Sequence, residues 1–244
     1  MAMSDADIDG FHRPHRPEVR FDAISEGWAL FLRRWPTWVV AGLIVMVGNG
    51  FLIRALGGVL NLHLPQGGGG FRFQVPPAQG MVAATLVAVA NGLFLGGMFR
   101  LACLQVRGHP IRVADLFGIT DVLGELVIGS AIWGVAVTAA ASFCVIPAFL
   151  LAGVWMFMIP LIVDGRLSAM EAISRSWHAL KRQWLTATLF QIVAGFLAGL
   201  GACLCLGLFL SMPLYCLSIT VLYRDFFLAG GAKGGDKAFG HDAG

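Results

Sequence analysis

The chain predicts an all-α fold: a polytopic membrane bundle of six transmembrane helices, with amphipathic helices on the cytoplasmic side. Three observations predict it. Of 244 residues 57% are hydrophobic and only 13% charged, with a mean hydropathy of +0.77, far from a soluble globular profile. The apolar residues gather into four blocks, Pro36 to Ala55, Met81 to Gln105, Val122 to Val163 and Trp184 to Leu228. The basic residues concentrate in alternate intervals between those blocks.

Taken in order, residues 1–20 are charged throughout and predict a disordered cytoplasmic tail. The first 35 residues contain no apolar stretch of signal-peptide type, so span one is expected to act as the insertion signal. A helix needs about 20 residues to cross a hydrocarbon core about 30 Å thick. The first two blocks therefore predict one span each, near 36–55 and 81–105. The last two are about twice that length. Each predicts a hairpin, 122–142 with 146–163 and 184–206 with 210–228. Ser142 and Pro147 place a turn or a kink near Ser142 to Ile146, because proline interrupts the helical ladder. Gly201, Gly207 and Pro213 mark the second. Residues 230–244 predict another cytoplasmic tail, leaving 21–229 as the membrane domain.

Six spans place both termini on one side with the loops at 106–121 and 164–183. That side carries fifteen Lys and Arg residues, and the other only Arg54 and Arg72. By the positive-inside rule the basic side is the cytoplasm. The expected location is the plasma membrane. The net charge of +3 reflects this asymmetry and implies no nucleic-acid partner. On the opposite side, the segment from Gly57 to Gly80 holds four consecutive glycines and a Pro pair, which favour irregular backbone. It lacks the Lys-Ser/Thr pair of a phosphate loop.

"AISEGWALFLRRW" at 23–35 returns as "AISRSWHALKRQW" at 172–184, with six identities in thirteen positions. In the first copy Phe21, Ile24, Trp28, Phe31 and Trp35 fall on one helical face; in the second, Met170, Ile173, Trp177, Leu180 and Trp184 do. Charges occupy the opposite face, and Ser168 with Glu171 forms a capping-box pattern. Each copy predicts an amphipathic helix lying in the membrane interface just before a span, anchored by Trp28, Trp35, Trp177 and Trp184. The competing reading is a plain cytoplasmic extension of the following span, bent at Pro36 in the first copy. Arg33, Arg34, Lys181 and Arg182 close the two copies and are candidates for anionic lipid headgroups. A weaker counterpart, "IRVADLFGITDVLGEL", precedes span three and suggests three repeated units.

The run "IPLIVDGRLSAMEAISRSW", within Val145 to Trp184, with "ADLFG" at 114–118 and "LYRD" at 222–225, carries a resemblance. It resembles the six-helix membrane domain attached to some glycerophosphoryl diester phosphodiesterases, and related uncharacterised bacterial inner-membrane proteins. The resemblance spans most of the chain from Phe21 onward and implies fold and location. In those enzymes catalysis belongs to a separate soluble barrel, so no catalytic residue carries over.

Chemistry is sparse. The six histidines show no ligand spacing, and Cys103, Cys144, Cys203, Cys205 and Cys216 fall within predicted spans as packed thiols. No metal or cofactor is expected. Glu125 is the one acid that could lie within the bilayer, although Asp121 and Glu125 also suit the start of a helix. Asn49, Asn91 and Gln191 predict hydrogen bonds between spans, and the small-residue pairs Gly92/Gly96 and Gly195/Gly199 close helix contacts within or between chains. The expected function is that of a non-enzymatic integral membrane protein working through lipid or partner contacts on its cytoplasmic face. A homo-oligomer or a membrane-protein partner stays open, and the alternative is a small transporter or channel.

Overall fold

The computed structural model describes residues 18–59, 78–143, 145–203 and 208–228. Most of both predicted tails and most of the loop from Gly57 to Gly80 lie outside the described residues. Every described element is helical. Helix α1 (Asp22–Arg33) leads into α2 (Trp35–Val59), and α3 (Ala78–Val106) returns. A 3-10 turn (Val113–Phe117) precedes α4 (Leu123–Phe143). Helices α5 (Val145–Val154) and α6 (Met158–Val163) form one interrupted segment, followed by α7 (Ala169–Leu180) and α8 (Trp184–Cys203). Last come α9 (Leu208–Tyr223) and a π-helical turn (Arg224–Leu228).

Four segments are long and apolar enough to cross a membrane: Trp35–Ala55, Met81–Val106, Leu123–Phe143 and Ile146–Val163. They fall within a residue or two of the first four predicted spans. Trp184–Gly199 is a shorter apolar helix. The expected turn or kink between Ser142 and Ile146 coincides with the junction of α4 and α5. Pro213, by contrast, does not mark a turn but lies inside α9. The middle lead-in also departs from expectation. Instead of an amphipathic α-helix it forms a 3-10 turn, held by Asp115 Oδ2 accepting the Arg112 N–H at 2.8 Å. The three-unit pattern therefore reduces to two matching lead-ins, α1 and α7.

Helix α9 is the axis of the bundle, packing on α1, α2, α3 and α8. Its run from Cys216 to Tyr223 is buried throughout. Helices α3 and α4 approach closely through glycines: Gly92 lies against Ser130, Gly96 against Leu126 and Gly134 against Ala88. Gly153 on α5 sits against the Thr188 backbone of α8 in the same way. Gly195 and Gly199 meet nothing within 4 Å, so this second small-residue pair takes no part in packing among the described residues. The buried thiols of Cys103 and Cys216 are free.

Candidate functional site

The polar end of the bundle is built by seven ties, six of them between distant parts of the chain. Val19 N–H donates to Gln183 Oε1 at 2.9 Å, joining the start of α1 to the α7–α8 junction. Arg20 reaches Asp225 at 2.8 Å and Glu26 at 2.9 Å, and Arg224 reaches Glu26 at 2.6 Å. Arg107 pairs with Asp164 at 2.6 Å, and the Tyr223 hydroxyl donates to the same carboxylate at 2.9 Å. Arg166 pairs with Asp121 at 2.8 Å. The start of α1, the end of α3, the start of α4, the end of α6 and the end of α9 thus meet at one end.

Glu26 stands at the centre of the larger network. The hydrogen bond from Arg224 is the main reason its carboxyl titrates below the usual carboxylate range; partial burial acts the other way.

Two lead-in helices frame this end, and they are docked alike. In α1 the buried residues are Ala23, Gly27 and Phe31; in α7 the equivalent Ala172, Ser176 and Leu180 are buried, together with Ala169. The predicted apolar faces therefore divide. Phe31 and Leu180 turn inward, while Trp28, Trp35, Trp177 and Trp184 remain 39%, 56%, 47% and 48% exposed. The contact runs through small residues because they let backbones approach. Gly27 rests on Ser218 of α9, and Ser176 rests on the Val154 carbonyl of α5. A break separates each helix from the span that follows: Arg34 leaves helical geometry after α1, two residues before Pro36, and a three-residue turn follows α7. The break at Arg34 sends its N–H to Phe31 O, which leaves Leu30 O without its usual helical partner. Gln105 Nε2 supplies the missing donor at 2.6 Å while Gln105 Oε1 accepts from Trp38 Nε1 at 2.6 Å, fastening α1, α2 and α3 together.

Of the predicted headgroup ligands, Arg33, Arg34, Lys181 and Arg182 are all exposed. Among the described residues no carboxylate pairs with any of them. Helix α1 separates the two pairs: α1 begins beside Gln183 and spans twelve residues, or about 18 Å at 1.5 Å per residue. Glu125 lies in the first turn of α4, where its Oε2 accepts the Ala169 N–H at 2.8 Å at the start of α7. Ser168 caps the same helix by accepting the Glu171 N–H at 3.4 Å. Glu171 itself turns to Arg175, at 2.7 Å. Asn49 donates to Asn91 at 2.6 Å and Gln191 to the Tyr215 hydroxyl at 2.6 Å, as interhelical bonds. Among the described residues no group of three or more His, Cys, Asp or Glu is arranged to hold a metal.

Gly27, Ser176, Gln105 and the Glu26–Arg224 pair are structural elements that sequence reasoning does not single out. The repeat does hold a signal for the first two, since both stand four residues after a shared alanine. No protein-family model, curated protein or solved structure matches the chain.

Proposed function

We propose that the protein is a six-span, non-enzymatic integral protein of the bacterial inner membrane, with both termini cytoplasmic, and that it works by binding anionic lipid headgroups on its cytoplasmic face. Within this reading, Trp184–Cys203 and α9 supply the fifth and sixth crossings. The chain is placed with the membrane domain of the glycerophosphoryl diester phosphodiesterase type and its relatives, on the strength of the run from Val145 to Trp184. The polar end is the cytoplasmic end, because the loops meeting there carry most of the Lys and Arg.

One observation carries the reading. Arg20, Arg107, Arg166, Arg175 and Arg224 bind carboxylates, whereas the four cations beside Trp35 and Trp184 are exposed and bind none among the described residues. Exposed tryptophans favour the headgroup boundary, and each nearby cation adds about 1 kcal/mol of attraction to an anionic leaflet. Four together supply up to about 4 kcal/mol. Changing Arg33, Arg34, Lys181 and Arg182 to Gln should sharply lower the anionic lipid that co-purifies with the protein. Insertion should persist, since eleven of the fifteen basic residues on that side remain. Unchanged lipid content in the variant rejects the reading.

A further inference from the structure

Bordered by α2, α3, α4, the α5–α6 segment, α8 and α9 lies a half-open chamber of about 500 Å³. Sites for small molecules occupy about 300–1,000 Å³. Most of the wall is apolar, and no Asp, Glu, Lys, Arg or His is among its lining residues. A charged ligand would lose its water there without meeting a countercharge.

Yet the wall is not built as simple packing. Asn49, Asn91, Ser130, Gln191 and Tyr215 all line it. Asn49 spends its amide N–H on Asn91, and Gln191 spends its own on Tyr215. Asn49 Oδ1, Gln191 Oε1 and Ser130 Oγ are left buried with no partner among the described residues, and Ser130 as a whole is only 2% exposed. Buried polar atoms without partners are costly, and three around one chamber call for a common cause. Two of the three are carbonyl oxygens and the third is a hydroxyl. They are suited to receive O–H or N–H donors.

We propose that the chamber binds an uncharged amphiphile, whose hydroxyl or amide N–H head meets Asn49, Ser130 and Gln191 and whose apolar body lies along Val87, Val137 and Ile159. Acceptors without charge select a neutral donor head, and the apolar wall selects the body. This site is separate from the headgroup face and does not rest on it.

The test uses the full chain in nanodiscs of purely zwitterionic lipid, so the outcome is independent of anionic headgroups. The probe is radiolabelled decan-1-ol, with decane and decanoate as comparators, each measured as the excess over protein-free discs. Decanol should bind saturably at one per chain and more tightly than either comparator. Val137→Phe, which fills the chamber, should weaken it about tenfold. Replacing Asn49, Asn91 and Gln191 together by Leu, which leaves Ser130 in place, should lower decanol affinity about two- to tenfold, toward that of decane. Absence of saturable excess, equal binding of decane or decanoate to the unaltered protein, or unchanged binding in Val137→Phe overturns the proposal. Should Val137→Phe fail to fold, Val87→Phe takes its place, and unchanged binding in that protein or in the Leu variant overturns the proposal equally.

Discussion

The Ser176 hydroxyl donates to the Val154 carbonyl at 2.7 Å, inside a break in the helix that runs from Val145 to Val163. In an unbroken helix that carbonyl would receive Met158 N–H, which here bonds Trp155 O instead. The same hydroxyl accepts the Phe157 N–H at 3.3 Å, another group freed by the break. One side chain from α7 therefore replaces two rungs of its neighbour's ladder, at a break that Pro160 favours because it has no N–H for the Met156 carbonyl and its ring crowds that group. Trp155 and Met156, within the same break, line the chamber.

Ser176→Ala should accordingly destabilise the protein by about 1–3 kcal/mol, because it strands a buried N–H and a buried carbonyl together. Thermal unfolding in detergent micelles is the measurement. Ser174→Ala, two residues away and less buried, should change stability by less than about 0.5 kcal/mol. Equal effects from the two would mean the bridge contributes nothing.

Gly27 occupies the place of Ser176 in the first copy, but its neighbour is a continuous helix rather than a broken one. A Cβ there would meet Ser218 Oγ at 2.9 Å and Ser218 N at 3.1 Å. The backbone of α9 is held on several sides, so α1 has to lift. Gly27→Ala should cost about 1–3 kcal/mol and speed thiol labelling of an Ala23→Cys reporter, at a position now wholly buried. Unaltered labelling would show that α1 is not seated by this contact.

Much of the fold is legible in the sequence because long apolar runs with clear polar borders leave little choice of helix boundary. Trp35–Ala55 and Leu123–Phe143 follow directly from that. Facing is less legible. The apolar stripe marks Trp28 and Trp177 as interfacial anchors but does not say which of its residues meet the protein, because in a bilayer an apolar side chain is as comfortable toward lipid as toward protein. Close backbone approach decides instead, and it selects Gly27 and Ser176. The same rule uses Gly92 and Gly96 while leaving Gly195 and Gly199 in the open, a difference that spacing alone does not encode. Pro213 runs against the expected turn because a helix embedded among four neighbours tolerates a proline that would end an isolated one. The chamber has no signature in the sequence, since its lining comes from segments spread from Val45 to Tyr215. Glu125 is visible as an odd acid, but its partner, the Ala169 N–H forty-four residues on, is not. That bond gives the carboxylate a capping role at the polar end.

The Glu26 network sets a pH dependence whose direction follows from its titration. The folded chain holds Glu26 below its ordinary value of 4.5, chiefly through the hydrogen bond from Arg224. The unfolded chain therefore takes up this proton at higher pH than the folded chain does. The stabilisation is complete above about pH 5 and fades as pH falls through the lower folded value. Protonation would leave Arg20 and Arg224 with Asp225 alone, loosening the tie between α1 and the end of α9. Glu26→Gln removes the titrating group while preserving its size. The unaltered protein should melt at a higher temperature than the variant at about pH 7, and the gap should narrow as pH falls below about 5 and through the lower folded value. Melting in detergent across that range, with both proteins in the same buffers, gives the comparison. A gap that persists at the acid end would assign the difference to packing of the side chain, and the ion network would lose its place as the clasp on α1.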